Sequence, residues 1–141
     1  MNIKLKIQKI PPGGSHIFVK GKIGSKNVTY LIDTGASKSV IDKNYFAKHF
    51  AELQITELAH STTGLGATYE KSESITIPQI EIGKFVIRKN EFGLLDLSVI
   101  NAAYHQAGLD PILVIIGGDI LLKYKGVIDY RNKIFKLYQH K

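Results

Sequence analysis

One aspartate stands where its carboxyl group could do chemistry, at the end of an apolar and β-prone run. Residues 28–32 lead into Asp33, and the tripeptide Thr34-Gly35-Ala36 then turns the chain. Gly35 permits a sharp reversal, and the Thr34 hydroxyl can form a local hydrogen bond that fixes the turn. A carboxylate held on a rigid turn can take a proton from water or give one to a substrate. The plainer interpretation is a strand that ends in a polar turn.

A second stretch combines an apolar strand, a glycine turn and another carboxylate. Residues 112–116 are all apolar, Gly117-Gly118 follow, and Asp119 is placed to cap a helix that runs through Tyr124. Alone, this pattern is a strand, a turn and a helix without chemical meaning. A Gly-Gly turn before a helix could also bind phosphate. Neither G-x-x-x-x-G-K-S/T nor G-x-G-x-x-G is present, which argues against a nucleotide site.

The two stretches together resemble the retropepsin-like branch of the aspartic peptidases. Residues 31–37 are similar to the active-site motif of that family, and residues 115–121 are similar to its second hallmark. The resemblance covers roughly residues 15–138. It implies a mainly β fold of the retropepsin-like acid protease type, a closed or orthogonal barrel-like structure with one or two short helices. A single domain is expected to span residues 1–141.

The resemblance also implies roles for particular residues. Asp33 would be catalytic, Thr34, Gly35 and Ala36 would support the active-site loop, and Ile116 and Gly117 would belong to a loop that braces it. Thr34 would interlock with its counterpart across a twofold axis. Retroviral members commonly carry an acidic residue after Asp-Thr-Gly-Ala that helps to hold the substrate backbone, whereas this chain has Ser37. The details of substrate binding are therefore expected to differ.

The implied reaction is the hydrolysis of a peptide bond by water activated between two carboxylates that share one proton. This chain has six aspartates, and only Asp33 is followed by Thr-Gly or Ser-Gly. An active enzyme of this type must therefore be a homodimer, in which a symmetric interface brings Asp33 of both subunits to one site. The implied substrate is a polypeptide, and the implied reaction uses no metal or other cofactor.

The alternative function is a non-catalytic module on the same fold. Such a module would bind extended peptides or proteins by strand addition, without turnover. An intact motif around Asp33 favours the enzyme, because a peptide-binding module has no need of it.

Residues 60–68 are polar and punctuated by glycine, which on its own predicts a loop. In retropepsin-like proteins, a hairpin at this place in the chain order forms a flap over the substrate. Gly64-Leu65-Gly66 resembles the tip of such a flap. Glycines let the tip hinge and let its backbone lie against an extended peptide. We therefore expect these three residues to contribute to substrate binding.

Period-two alternation and turn residues predict the strands that position these motifs. The predicted strands comprise residues 2–10, 16–23, 28–32, 74–77, 79–82, 85–87, 92–97 and 112–116, with a closing hairpin of 126–130 and 134–138. Pro78 is expected to interrupt the middle of this series. A helix is predicted over residues 42–53 with Asp42 as its N-cap, and residues 98–108 fit a helix or an irregular segment. Segments 2–10 and 133–139 are candidates for the dimer interface.

Composition argues against several other kinds of protein. There is no cysteine, so thiolate metal sites and cysteine nucleophiles are excluded, and the five histidines lack metal-ligand spacing. The net charge is +7, but the lysines are spread along the chain without a nucleic-acid-binding motif, and they fit solvent-facing strand positions. No run reaches membrane-spanning length, and the first residues do not form a secretory signal. We expect a cytoplasmic protein without nucleic-acid or membrane partners.

Overall fold

The computed structural model describes residues 1–52, 55–61 and 70–139. In these ranges the chain is mainly β, with short helices between some of the strands. The strands are β1 (Asn2–Lys4), β2 (Lys6–Ile10), β3 (Gly14–Ile23), β4 (Lys26–Ile32), β5 (Val40–Asp42), β6 (Ile55–Ser61), β7 (Glu70–Ile82), β8 (Phe85–Leu95), β9 (Val114–Ile116), β10 (Val127–Asp129) and β11 (Ile134–Lys136). The helices are α1 (Lys43–His49), α2 (Ser98–Gln106) and α3 (Gly118–Lys123).

Six of the described strands close into a barrel in the order β3, β4, β9, β5, β8 and β7, with β7 pairing back onto β3. The closure pairs Gly21 with Ile82, and a Cβ atom at Gly21 would lie 1.9 Å from the carbonyl oxygen of Glu81. Glycine therefore lets the two strands approach each other closely enough to pair. This architecture confirms the expected mainly β, barrel-like fold with short helices.

Apolar side chains fill the barrel interior, as strand alternation predicts. Tyr30 on β4 is fully buried, and its hydroxyl donates to the carbonyl oxygen of Lys22 at 2.7 Å. Burial raises the pKa of this hydroxyl above its ordinary value. The hydrogen bond satisfies the one polar group that Tyr30 carries into the core.

A second apolar cluster lies outside the barrel, between the sheet and α2. Its buried members are Leu31, Val40, Leu97, Tyr104, Ile112 and Ile115. Ala36, in the turn after Asp33, packs against this cluster. The Asn101 side chain fixes α2 to the chain before β9, since it accepts from the Ile112 amide at 2.6 Å and donates to the Ile112 carbonyl at 2.9 Å. α2 thus packs on the outer side of β4 and β9, the strands that lead into the Asp33 turn and the Gly117 loop.

A separate three-stranded sheet brings the two ends of the described chain together, in the order β1, β11, β10. β11 is the central strand, and both of its neighbours run antiparallel to it. Phe135 in the middle of β11 is fully buried and anchors this sheet to the main core.

Several predicted boundaries are wrong, for identifiable reasons. Residues 2–10 form two strands, because the chain leaves β11 after Lys4 and then pairs with β3 from Lys6 onward. Between them, the amide of Leu5 donates to the carbonyl oxygen of Lys133 at 2.9 Å. The helix after β5 ends at His49, because Phe50 leaves helical geometry and is buried in the core. Its predicted N-cap is confirmed, since the Asp42 carboxylate accepts from the Tyr45 amide at 3.1 Å.

Pro78 does not interrupt the sheet, contrary to the prediction. β7 runs continuously through Pro78, and β8 likewise joins the two strands expected at residues 85–87 and 92–97. The paired positions pass from Ile77 with Asn90 directly to Gln79 with Arg88. The skipped position on β8 is Lys89, whose φ of 54° is left-handed. This local distortion accommodates the missing N–H of proline without ending either strand.

Candidate active site

Asp33 directly follows β4, and two hydrogen bonds fix it in place. Its amide donates to the carbonyl oxygen of Ile116 on β9 at 3.0 Å, which continues the parallel pairing of Ile32 with Ile116. Its carboxylate Oδ1 accepts from the amide of Gly35 at 2.9 Å. The Asp33 side chain therefore has a defined orientation although the residue is only half-buried.

The turn after Asp33 is tight and exposed. The amide of Ala36 donates to the carbonyl oxygen of Asp33 at 3.2 Å, and Thr34 and Gly35 between them are solvent-exposed. A Cβ atom at Gly35 would lie 3.2 Å from Asp33 Oδ1, so a larger residue would crowd the carboxylate. The predicted support residues Thr34, Gly35 and Ala36 thus lie next to Asp33 in one turn.

The loop after β9 braces this turn through close backbone contact. A Cβ atom at Gly117 would lie 2.6 Å from the carbonyl oxygen of Ala36 and 2.9 Å from the carbonyl group of Lys38. The next amide, that of Gly118, donates to the same Ala36 oxygen at 2.6 Å. The structure therefore brings Ile116 and Gly117 against the Asp33 turn.

A polar network that the sequence did not predict joins the two loops. Ser39 is fully buried, and its hydroxyl donates to Asp119 Oδ1 at 2.7 Å while accepting from the Gly117 amide at 2.9 Å. The Ser39 amide also donates to Asp119 Oδ1, at 2.9 Å. The prediction that Asp119 caps α3 is therefore wrong. Gly117 takes the N-cap position, and the Asp119 carboxylate accepts hydrogen bonds from Ser39 instead.

An ion pair flanks the same turn on its other side. Lys38 Nζ contacts Glu91 Oε1 of β8, and both side chains are partly exposed. The parallel pairing of Val40 with Gly93, extended backward by two residues, places these residues side by side. An exposed pair of this kind contributes little to folding stability.

The predicted flap tip, Gly64-Leu65-Gly66, lies outside the described residues. The strands on either side of it, β6 and β7, pair as antiparallel neighbours, for example Ile55 with Ile75. The sequence-predicted role of these three residues therefore stays a prediction.

The described residues offer neither a metal site nor a membrane-spanning helix. No group of three or more His, Asp or Glu residues there is arranged to hold a metal ion. The helices found among the same residues include none that is long and apolar enough to cross a membrane.

Comparisons with known proteins agree on one type of fold. The sequence model of a family described as aspartyl protease matches residues 19–120. The retroviral protease-like domain of Ddi1 from Leishmania major is 15% identical, with a TM-score of 0.54, over 85% of this chain and 86% of that one. A retropepsin-like aspartic protease from Rickettsia conorii is 18% identical, with a TM-score of 0.56, over 100% of this chain and 92% of that one. A search of curated proteins found no match.

Proposed function

The chain belongs to the aspartyl protease family, and from that premise we propose that it is an aspartic endopeptidase that cleaves polypeptides as a homodimer. The proposed catalytic unit is a single domain over residues 1–141. The observation that carries the proposal is the fixed position of Asp33, with its backbone paired to β9 and its carboxylate held by the Gly35 amide.

The proposed reaction uses Asp33 from each of two subunits. Two carboxylates that lie close together hold one proton between them, because both cannot carry a charge at low cost. The ionised carboxylate takes a proton from a water molecule, whose oxygen attacks the carbonyl carbon of the peptide bond. The protonated carboxylate gives its proton to the carbonyl oxygen. When the tetrahedral intermediate collapses, the C–N bond breaks and the amine leaves with a proton from the pair.

The neighbouring residues have positioning roles in this proposal. Thr34 meets its counterpart across the twofold axis, and Gly35 and Ala36 keep the turn narrow enough for a substrate to pass above it. Ile116 and Gly117 hold the turn from below through the contacts with Asp33 and Ala36. Gly64, Leu65 and Gly66 cover the bound peptide from the opposite side.

Cleavage of a peptide library, read by mass spectrometry, tests the proposal. The wild-type chain is expected to produce defined cleavage products across mildly acidic to neutral pH. Asp33→Asn is expected to abolish them while circular dichroism and thermal unfolding stay close to wild type. Cleavage that persists in Asp33→Asn contradicts the mechanism. Binding of library peptides without cleavage by the wild type would favour a non-catalytic peptide-binding module instead.

Mixing the two proteins tests whether the site is shared between subunits. If one Asp33 is needed from each subunit, equal amounts of wild type and Asp33→Asn, allowed to exchange, leave roughly one quarter of the activity of the same total amount of wild type. If each chain cleaved peptides without a partner, the mixture would retain roughly one half of the activity of the same total amount of wild type. The size of the loss therefore distinguishes a shared site from a site within one chain.

A further inference from the structure

We propose that His16 is a specificity-determining residue of this site, and that it selects peptides with an acidic side chain close to the cleaved bond. The inference rests on the proposed function, which places the bond to be cleaved at Asp33. His16 on β3 forms a side-chain pair with Tyr104 on α2. The pair lies outside the turn that carries Asp33, and no step of the proposed mechanism uses it.

Strand pairing places His16 next to Asp33. The antiparallel pair of β3 with β4 ends with Ile17 opposite Ile32, so the next position in the same register sets His16 opposite Asp33. Residues directly opposite each other in such a pair lie about 4.5–5.5 Å apart at Cα. Asp33 continues the strand, because its amide still pairs with β9. His16 is therefore a neighbour of the proposed catalytic residue.

The side chain of His16 lies on the outer face of the barrel wall, toward α2. Ile17 and Ile32 belong to the barrel core, whereas Leu31 and Phe18 contribute to the second apolar cluster outside it. Because side chains alternate along a strand, His16 shares the outer face with Phe18. It is half-buried there, so part of its ring is accessible to a bound peptide.

Tyr104 sets the orientation of the His16 ring. The two rings stack with 8° between their planes and 5.7 Å between their centres, and the Tyr104 hydroxyl forms a hydrogen bond with Nδ1 of His16. Tyr104 is itself buried in the second apolar cluster, and the Asn101 side chain holds α2 to Ile112. The His16 ring is thus oriented by a helix that is fixed to the sheet.

This hydrogen bond also decides which atom of His16 can bind a substrate. Burial raises the pKa of the Tyr104 hydroxyl above its ordinary value, so the hydroxyl stays protonated. It donates to Nδ1 when the imidazole is neutral, which leaves the imidazole proton on Nε2. When the imidazole is charged, both nitrogens carry a proton and the Tyr104 oxygen accepts from Nδ1 instead. Nε2 is a donor in both states, so it fits an oxygen acceptor of the substrate.

The charges around His16 favour a carboxylate over a neutral oxygen as that acceptor. Residues 1–32 contain six lysines and neither aspartate nor glutamate. Lys6 lies opposite Phe18 on β2, and Lys20 lies two residues beyond Phe18 on β3. Both lysines are exposed on the face that His16 shares. A carboxylate that accepts from His16 is also attracted by these lysines, and hydrogen bonds to a charged acceptor are the stronger kind.

The proposed catalytic pair limits how close the acidic side chain can lie to the cleaved bond. One shared proton leaves the two Asp33 carboxylates with one negative charge, which repels another anion at short range. We therefore expect the acidic side chain on the second or third residue from the bond, about 7–10 Å along an extended peptide. Each of two copies supplies one His16, so the preference is expected on both sides of the bond.

Cleavage of matched peptides tests the proposal. A library peptide that the wild type cleaves is synthesised with Glu, or with Gln, at the second or third residue on either side of the cleaved bond. At the position that His16 contacts, the wild type should show a kcat/KM about tenfold higher for Glu than for Gln, the difference between a charged and a neutral acceptor. His16→Phe keeps a ring that can stack on Tyr104 but has no Nε2–H, so this ratio should fall to about one.

Three further variants separate recognition from folding. Tyr104→Phe keeps the stacking and removes the bond to Nδ1, so the ratio should fall to about threefold as the His16 ring loses its fixed orientation. The double variant His16→Phe/Tyr104→Phe leaves no hydroxyl without its partner and should give a ratio of about one, as His16→Phe does. His105→Phe, the same substitution at an exposed histidine next to Tyr104, should keep the wild-type ratio. Circular dichroism and thermal unfolding are measured on each variant.

The outcomes separate this inference from the proposed function. A wild type without preference for Glu, or a preference that stays unchanged in His16→Phe and in the double variant, overturns the role of His16 while the protease stands. A preference lost equally in His105→Phe overturns it as well.

If the wild type cleaves no peptide, the proposed function fails, and capture of the synthetic library on immobilised Asp33→Asn protein decides the inference. Enrichment of Glu peptides over Gln peptides that disappears when His16→Phe is added supports recognition of acidic peptides by His16 without cleavage. Equal recovery of the two kinds of peptide overturns the inference.

Discussion

The substitution Ser39→Ala is expected to destabilise the protein far more than a serine-to-alanine change usually does. The Ser39 hydroxyl makes two hydrogen bonds in a fully buried position, one to Asp119 Oδ1 and one from the Gly117 amide. Alanine removes a bond to a carboxylate and leaves the buried amide of Gly117 without that acceptor. Each loss costs about 1–3 kcal/mol, and because the two are coupled we expect about 2–4 kcal/mol in total.

Urea unfolding followed by circular dichroism measures this loss. The comparison is made in the Asp33→Asn background, which removes self-cleavage, and at one fixed protein concentration, because dimer formation would add to the apparent stability. With a slope of about 2 kcal/mol per molar urea, the midpoint should fall by about 1–2 M. In the active background, cleavage should also fall, because the Gly117 loop would no longer hold the Asp33 turn as firmly.

Two comparisons make the Ser39 prediction specific. Ser37→Ala, two residues earlier at an exposed position, is expected to change the free energy of unfolding by less than about 0.5 kcal/mol. Asp119→Asn keeps an oxygen that can accept from Ser39 and should cost less than Asp119→Ala. If Ser39→Ala is as mild as Ser37→Ala, the network does not support the site and the reasoning fails.

The remaining predictions concern backbone contact and acid stability. Gly117→Ala should lower the free energy of unfolding in urea by at least about 2 kcal/mol, because the new Cβ would lie 2.6 Å from the Ala36 carbonyl oxygen. Gly118→Ala, whose Cβ would lie 3.5 Å from the same atom, should lower it clearly less. Equal losses in the two variants would contradict the close-contact argument. Hydrogen bonds from Asn132 hold the pKa of the Asp129 carboxyl below its ordinary value of 3.8. The bond from the backbone amide of Asn132 has the larger effect, and the bond from its side chain has the smaller one. Asp129 therefore stabilises the fold above that pH and loses this contribution as pH falls through its lower folded pKa. Asp129→Asn should flatten the acid side of the stability curve, measured by thermal unfolding between about pH 4 and pH 2, and an unchanged acid slope would exclude this role.

The sequence was sufficient for the features that depend on local pattern. The turn at Asp33 and the glycine loop after β9 each lie in a short stretch whose apolar run and glycine are visible without a structure. The Asp42 cap is likewise local, because the capped amide is three residues away. Such features are decided by neighbouring residues, and the pattern that encodes them is contiguous.

Features that depend on distant partners were not predictable in the same way. Ser39 and Asp119 are 80 residues apart, and each alone is compatible with an ordinary turn or cap residue. The continuity of β7 through Pro78 depends on Lys89 of the opposite strand, which takes a left-handed conformation. A serine that follows a turn and directly precedes an apolar strand was the available signal for the network. Its partner could be identified only after the sheet order placed β5 beside β9.

Because β9 lies between β4 and β5, the support of the Asp33 turn can form only late in the synthesis of the chain. Asp33 is made early, yet its amide donates to the carbonyl oxygen of Ile116, and the Ser39 hydroxyl donates to the carboxylate of Asp119. Barrel closure likewise waits for residues 80–82 to pair with residues 21–23. Long-range pairings of this kind form late, since a long loop must close first. A growing chain therefore exposes its Asp-Thr-Gly sequence without the bracing contacts of β9 and Asp119 until residues 114–119 have emerged, and shorter chains carry the motif without a supported site.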